Sequence, residues 1–173
     1  MQAGKSSIQI EHPPIITSAA SIVGQTEGEG PLARFFDRVE PDPTFGKKSW
    51  EEAESELQRQ TVQKCLDKAG RQAADVNCLF AGDLLGQIVA TSFGVESFDI
   101  PFFGLYGACS TMGDAMILGG MAAGAGYADR VLALASSHFA SAERQFRFPL
   151  AYGNQRPQST TWTVTGCGCV MIE

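Results

Sequence analysis

Short apolar segments alternate with stretches of helical periodicity along the chain. Apolar runs bounded by glycine, proline and polar residues predict five strands. These are residues 15–20, 76–81, 101–105, 130–136 and a closing strand through 170–172. Helical spacing predicts three helices between them. These are residues 49–69, 87–95 and 110–126. The order βαβαβαββ predicts an α/β fold, in which helices cover the faces of a mixed, mostly parallel five-stranded sheet.

Two connecting segments are assigned from the same pattern. Residues 32–39 are predicted to form one or two helical turns that end before Pro41 and Pro43. The long polar and aromatic loop before the last strand shows no helical spacing. The final two strands therefore depart from strict alternation.

The clearest helix begins at Ser49 and ends at Gly70. Ser49 and Glu52, three residues apart, form a capping box, in which each side chain satisfies a backbone N–H of the first turn. Glycine just after the last turn is a typical stop signal. Apolar and small residues recur between these ends at helical spacing: Trp50, Ala53, Leu57, Thr61 and Cys65.

The segment from Ser110 to Gly126 contains one charged residue, Asp114, among many methionine, glycine and alanine residues. A helix that is apolar on all sides is typically buried on all sides. Small residues also allow neighbouring backbones to approach closely. We therefore expect this helix in the middle of the fold; it is too short and too rich in glycine to cross a membrane.

Composition and charge narrow the possible partners. Charged residues make up 18% of the chain, whereas about 25% is usual in soluble domains, so part of the surface is expected to meet another protein or protein half. The net charge of −6 without a basic stripe argues against nucleic acid. The sequence contains no apolar run of spanning length, and its first residues show no secretory h-region, so neither a membrane span nor a leader is expected.

The five cysteines are an odd number without the spacing of a metal site. Cys167 and Cys169 lie two apart in a predicted strand, so both side chains point to the same face. Free thiols in a reducing cytosolic setting are the simplest interpretation, and no metal site is expected.

Cys109 is the first candidate for chemistry. It follows a strand and the turn 106–108, and it stands at the start of the helix from Ser110. A thiol in this position faces the positive end of the helix dipole, which favours the thiolate. A strand-to-helix elbow also exposes a side chain to a cleft. The alternative is a buried cysteine that packs as a small apolar residue.

A second candidate is the segment 143–149, which places Arg144, Gln145 and Arg147 among aromatic residues. Guanidinium groups bind carboxylates bidentately, and flat faces stack on aromatic rings. A small dianionic aromatic ligand would use both features. The alternative is a surface helical pair between Glu143 and Arg147 with phenylalanines in the core.

His138 and Asp83 follow predicted strands, where side chains of α/β folds commonly line a cleft. His138 could hydrogen-bond a carboxylate or act on Cys109, or it could be structural. Asp83 could contact a ligand or a partner subunit.

Several motifs together resemble a known family. The segment 107–111, Gly-Ala-Cys-Ser-Thr, is similar to the nucleophile segment of thiolases and ketoacyl synthases, and the strand order fits the first half of their layered αβαβα fold. The resemblance narrows to the stage V sporulation protein AD family. Its motifs are at residues 28–32, 81–85, 136–138, 142–147 and 163–166.

That resemblance implies a fold and a function. Residues 1–173 would form one thiolase-like half domain, with the second half outside this chain. The family implies a protein without enzymatic activity that binds dipicolinic acid (pyridine-2,6-dicarboxylate), with no other cofactor. It would act with membrane proteins of the same sporulation transport system to move the acid, as its calcium chelate, into the forespore. Its place would be the cytoplasmic face of the spore inner membrane.

Two other functions stay open at this stage. Cys109 could be the nucleophile of an acyltransferase, although the partner histidines of thiolases and ketoacyl synthases come from the second half of those chains. The protein could also be a scaffold for membrane partners. In either case the apolar middle helix predicts a homodimer or docking with a second half.

Overall fold

The computed structural model describes residues 2–147, 159 and 161–173. Eight strands are found in this part of the chain. They are β1 (Gln2–Ala3), β2 (Ser7–Ile8), β3 (Ile16–Gly24), β4 (Arg38–Glu40), β5 (Cys78–Gly82), β6 (Phe102–Gly104), β7 (Val131–Ser137) and β8 (Gly166–Ile172). The helices are α1 (Gln25–Gly28), α2 (Trp50–Ala69), α3 (Val89–Val95), α4 (Thr111–Gly124) and α5 (Phe139–Phe146). The five predicted strands and the three predicted helices are present, with ends displaced by a few residues.

Strands β3 to β8 form one mixed sheet in the order β4-β3-β8-β7-β5-β6, and β1 and β2 form a separate hairpin. Three pairs of neighbours are parallel and the two pairs that include β8 are antiparallel. The predicted mixed, mostly parallel sheet is confirmed. It has six described strands rather than the predicted five.

The additional strand is β4, which pairs in parallel with the end of β3. Helical turns were predicted for residues 32–39, but only Ala33–Phe35 forms a short 3₁₀ turn. Asp37 explains the difference, because its backbone N–H donates to the carbonyl of Ser21 at 3.1 Å and its carboxylate accepts from the N–H of Ser21 at 2.9 Å. These bonds start the pairing of strand 38–40 with β3.

Helix α2 covers one face of the sheet. Its capping box is present as predicted, with the Ser49 hydroxyl and the Glu52 carboxylate each accepting a backbone N–H at 3.2 Å. Gly70 ends the helix in the left-handed conformation, at φ 64°. Its inner side buries a stripe against β3 and β8: Ala53, Leu57, Val62, Cys65 and Leu66. Cys167 and Cys169 enter the same core from one face of β8, as the strand period predicts.

Helix α4 covers the opposite face of the sheet, but it is not buried on all sides as predicted. Ala115 and Gly119 are buried against β5 and β7. Ile117 and Met121 are 60% and 41% exposed on the outer side. The physical reason is that the sheet covers only one side of α4, and the described residues place no second layer on the other.

Helix α5 lies in the loop that was predicted to contain no helix. The ring of His138 caps it, with Nδ1 accepting from the N–H of Ala140 at 3.2 Å. The helix is short and amphipathic, and its inner residues Ser141 and Ala142 are small. Small inner residues give little apolar signal, which is why the sequence pattern missed this helix. Phe148 and Pro149, part of the predicted ligand segment, lie outside the described residues.

A buried carboxylate joins α2 to the end of β7 and to α5. Glu54 accepts hydrogen bonds from Ser136 at 2.8 Å and from Ser141 at 2.7 Å. Gln58, one turn further along α2, donates to Ser136 at 2.7 Å and to Thr91 at 2.9 Å. Burial, opposed by the two serine hydroxyls, raises the pKa of Glu54 to about 7. We call these five residues the Glu54 cluster.

Helices in the described part of the chain lack the combination of length and apolar character that a membrane span requires. The cysteines are all free; Cys109 is exposed, and the other four are buried.

The Glu54 cluster predicts a specific pH dependence of stability. An acid whose pKa is raised by folding binds its proton more tightly in the folded state, so its contribution is complete below about pH 4.5 and is lost as the pH rises through about 7. Glu54→Gln should remove this slope. Between about pH 5 and 8 the free energy of unfolding of the variant should fall less than that of the parent chain, by up to about 3 kcal/mol.

Urea denaturation at a series of pH values measures this difference. Glu96→Gln, an exposed change at the end of α3, is the matched control and should keep the parent slope. Burial lowers the pKa of His138, so the contribution of this ring to the free energy of unfolding increases as the pH rises, opposite to that of Glu54. This contribution is the same in the parent chain and in both variants, so it cancels when they are compared. Equal slopes for Glu54→Gln and the parent chain would show that Glu54 does not titrate in this range.

Candidate functional site

An open cavity of about 490 Å³ lies at the carboxyl ends of β5 and β7, next to Cys109. Its walls come from the loop after β5, the elbow before α4, the end of β7, α5 and the approach to β8. The lining residues are Leu84, Ala108, Cys109, Met112, Ala135, Ser136, Ser137, Phe146, Thr163, Val164 and Gly166. Clefts at the carboxyl ends of strands are the usual ligand sites of α/β folds, which makes this cavity the candidate site. We call it the Cys109 cavity.

Cys109 lies in a tight elbow between β6 and α4. The 3₁₀ turn Ala108–Ser110 leads directly into the helix. Ala108 has a φ of 48°, which is unusual for a residue with a Cβ. Strained backbone of this kind persists where the surrounding structure enforces it and is concentrated at functional sites. The elbow leaves the thiol exposed, which is one of the two alternatives that the sequence left open.

Two glycines make this elbow possible. A Cβ on Gly82 would lie 2.0 Å from the carbonyl oxygen of Leu105, so the chain entering the elbow could not pass as close to β5. A Cβ on Gly107 would lie 2.2 Å from the carboxylate of Asp114. That carboxylate accepts from the Ser110 hydroxyl at 2.9 Å and so ties the turn to the first turn of α4. The elbow is therefore held by packing and hydrogen bonds together.

Asp83 is buried beneath the cavity and does not line it. Its two oxygens accept from the N–H of Leu85 at 2.7 Å, and from the N–H and the hydroxyl of Thr91 at 2.7 and 2.6 Å. Through Thr91 it connects to the Glu54 cluster. In the structure Asp83 thus shapes the loop after β5; a direct contact with a ligand stays a prediction.

His138 is also fully buried and is not among the residues that line the Cys109 cavity. Its Nδ1 caps α5, and its Nε2 lies 2.7 Å from the carbonyl oxygen of Pro43. The ring stacks on Trp50 at a centroid distance of 5.5 Å. Both nitrogens are therefore engaged, and the arrangement corresponds to the structural alternative considered for this residue.

The three predicted residues in α5 and at its C-terminal cap face different surroundings. Gln145 accepts the backbone N–H of Gly86 at 2.9 Å and so fixes the loop after β5. Arg144 pairs with Glu51 on α2. Arg147 pairs with Glu143, one helical turn earlier, and Glu143 also accepts from the hydroxyl of Thr163 at 3.1 Å. Of the two arginines, Arg147 is thus the one tied to a residue of the cavity wall.

The sequence pattern did not single out the residues that form most of the cavity wall. Ser137 donates to the carbonyl oxygen of Val164 at 2.6 Å, which holds the approach to β8 against the end of β7. Thr163 and Val164 belong to a motif that was noted for its resemblance but given no role. Their positions beside strand ends were the signal that could have identified them.

The cavity offers one nucleophile and several hydroxyl groups. Cys109 is the sole ionisable side chain among its described lining residues, so none of them can accept the thiol proton. No group of three or more histidine, cysteine or acidic side chains in the described residues is arranged to hold a metal ion. The chemistry available within these residues is binding through hydroxyls, backbone groups and apolar contacts, beside an accessible thiol.

Several solved structures have folds similar to that of this chain. All three considered are 14% identical to this chain. The 3-oxoacyl-(acyl carrier protein) synthase III of Pseudomonas aeruginosa PAO1 has a TM-score of 0.56, over 92% of this chain and 51% of its own. The priming β-ketosynthase of the R1128 polyketide pathway has 0.59, over 98% and 52%. An OleA variant of Xanthomonas campestris has 0.61, over 96% and 59%. At this identity the likeness shows the thiolase-like fold alone.

Sequence comparison is more specific. A relative described as stage V sporulation protein AD, from Bacillus subtilis (strain 168), is 41% identical over 170 residues, which are 98% of this chain and 50% of the relative. The chain therefore spans about half the length of the proteins that it matches. A sequence model of the family described as Stage V sporulation protein AD (SpoVAD) matches residues 4–173. The chain belongs to the stage V sporulation protein AD family, on a thiolase-like fold.

Proposed function

We propose that this protein binds dipicolinic acid in the Cys109 cavity, without enzymatic turnover, and takes part in its uptake into the forespore. The observation that supports this most directly is an open cavity at the strand ends whose described lining contains a thiol and hydroxyls but no base. A volume of about 490 Å³ is in the range of small-ligand pockets. Membership of a sporulation family supplies the biological setting.

Electrostatics supports a carboxylate ligand at one end of this cavity. The N-terminus of α4, a helix of 14 residues, begins just after Cys109, and the positive end of a helix dipole stabilises anions. Arg147 is linked to the wall residue Thr163 by two interactions, its ion pair with Glu143 and the hydrogen bond from Thr163 to Glu143. A dicarboxylate could draw this guanidinium away from Glu143, because both pairs would be charge-assisted.

Apolar side chains favour an aromatic ring in the centre of the cavity. Met112, Phe146 and Val164 belong to three different walls. Flat rings bind well between apolar and aromatic groups, while a few polar groups fix their orientation. The hydroxyls of Ser137 and Thr163 are placed for that second role.

Acyl transfer through Cys109 is the second candidate, favoured by the exposed thiol on a strained elbow. An acyl-enzyme needs a base for the thiol and donors for the oxyanion. The described lining supplies no base, and this supports binding over turnover.

We further propose that the protein works at the cytoplasmic face of the spore inner membrane, with membrane proteins of the same transport system. The outer side of α4 supports a partner surface, because Ile117, Leu118 and Met121 are exposed together there. Contiguous apolar surface of this kind marks an interaction site. A second copy of the chain or a second half domain would cover it.

Calorimetric titration with dipicolinic acid, with and without calcium, tests the binding proposal. The parent chain should show saturable heat. The double variant Arg144→Ala, Arg147→Ala should bind about tenfold to a hundredfold more weakly, because a hydrogen bond to a charged group contributes about 1.5–3 kcal/mol. Of the single variants, Arg147→Ala should account for more of the loss.

Two further variants make that titration decisive. Arg59→Ala removes another ion-paired arginine, the partner of Glu56 on α2. This control variant should bind dipicolinic acid as tightly as the parent chain does. Cys109→Phe should block the cavity and abolish binding while the fold, followed by circular dichroism, is retained. Undiminished binding by the folded Cys109→Phe variant would place the ligand elsewhere.

Thiol labelling separates binding from catalysis. Cys109 should be the first cysteine to react with iodoacetamide, because the other four thiols are buried. The parent chain and a Cys109→Ser variant are each incubated with an acyl thioester and their intact masses are measured. The parent chain should carry no more covalent acyl group than the variant. A Cys109-dependent acyl adduct that turns over would instead establish the acyltransferase.

Sedimentation velocity tests the association surface. The parent chain should sediment as a dimer or larger species, since apolar side chains on the outer side of α4 lose water on contact. Ile117→Lys with Met121→Lys should shift it to the monomer. Gln63→Lys, an exposed change on α2, should have no effect, and a monomeric parent chain would contradict the proposal.

A further inference from the structure

A second, smaller cavity of about 260 Å³ opens at the end of β3, apart from Cys109. Its lining includes Glu27 of α1, Pro43, Phe139 and Trp162. Thr163 lines both cavities, so they lie on two sides of the segment that approaches β8. The volume is below the range of about 300–1,000 Å³ that drug-sized ligands occupy, which restricts an occupant to a small group.

Two aromatic rings stand nearly perpendicular in the wall of this cavity. The centroids of Phe139 and Trp162 are 6.4 Å apart, with an interplanar angle of 71°. Phe139 is held from behind, stacked on His138 at 5.1 Å and in contact with Trp50 at 6.0 Å. Trp162 is 62% exposed and forms the outer wall. Both ring systems line the same cavity, and ring faces attract cations.

Glu27 contributes a negative charge at the same place. It is half-buried, and its Oε1 accepts the backbone N–H of Thr165 at 3.2 Å, which orients the carboxylate in the cavity wall. No lysine or arginine among the described residues forms an ion pair with it. Arg147, beyond Thr163, is already paired with Glu143. The charge of Glu27 is thus not neutralised from within the described chain.

The ring beneath the cavity does not supply a counter-charge. Burial lowers the pKa of His138, against smaller opposing effects of Pro43 and Glu27, so its ring is neutral at neutral pH. Its Nε2 is held by the carbonyl oxygen of Pro43. The cavity therefore combines two aromatic walls and one carboxylate over a neutral base.

We propose that this cavity binds a small organic ammonium ion. The aromatic rings would surround its alkyl groups and Glu27 would face its charge, which is how aromatic cages recognise ammonium groups. A hard metal ion is a poorer match, because it needs several oxygen ligands and the rings of Phe139 and Trp162 supply none. Dipicolinate is excluded from it by charge, so the two cavities take ligands of opposite sign.

Calorimetric titration of the parent chain with choline and with butylammonium tests this inference. At least one of these ions should bind saturably, in the millimolar range or tighter. The neutral isostere of choline, 3,3-dimethylbutanol, has the same shape without the charge. It should bind at least about tenfold more weakly, because it loses both the cation–π and the carboxylate interaction.

Variants locate the site. Glu27→Gln keeps an acceptor for the N–H of Thr165 and should weaken binding of the ammonium ion at least about tenfold. Trp162→Ala, a change at an exposed side chain, should do the same. Glu29→Gln, which removes an equal charge two residues away and outside the cavity wall, is the matched control and should leave binding unchanged.

Three outcomes would overturn the inference: no binding of either ammonium ion, equal binding of dimethylbutanol, or undiminished binding by Glu27→Gln. None of them bears on dipicolinic acid, because the variants lie outside the wall of the Cys109 cavity. The reverse also holds, since Cys109→Phe should leave the binding of the ammonium ion intact.

Discussion

The buried carboxylate of Glu54 is the constraint on which the arrangement of this molecule depends. A carboxylate removed from water is costly unless hydrogen bonds compensate for the loss of hydration. Ser136 and Ser141 supply those bonds, one from the end of β7 and one from α5. Three elements of the fold thus meet at one charged or protonated group, and α5 has little freedom to move away from the sheet.

The same cluster extends towards the loop that forms the cavity. Gln58 bridges Ser136 and Thr91, and Thr91 is in turn bound to Asp83. A continuous chain of buried hydrogen bonds therefore runs from α2 to the loop after β5. Buried hydrogen bonds of this kind favour one arrangement, because moving one member leaves the others without a partner. The Oε1 atom of Gln58 is the buried side-chain oxygen of the described residues that has no partner. The Cys109 cavity owes its shape to a network that contributes only Ser136 to its wall.

Two cavities of different character meet at the segment before β8. The Cys109 cavity has hydroxyls, apolar groups and a helix N-terminus, whereas the cavity at Glu27 has two aromatic rings and a carboxylate. Thr163 belongs to both walls.

The sequence by itself determined five of the strands, three of the helices and the family, because periodicity, the capping box at Ser49 and the motif around Cys109 are local features. Tertiary structure decided the rest. Strand β4 forms because Asp37 meets Ser21 across the sheet, and α5 because His138 caps it. The roles of Asp83 and His138 depend on partners eight and 95 residues away. Such contacts leave no mark on local spacing, since they exist only once the sheet has brought distant segments together.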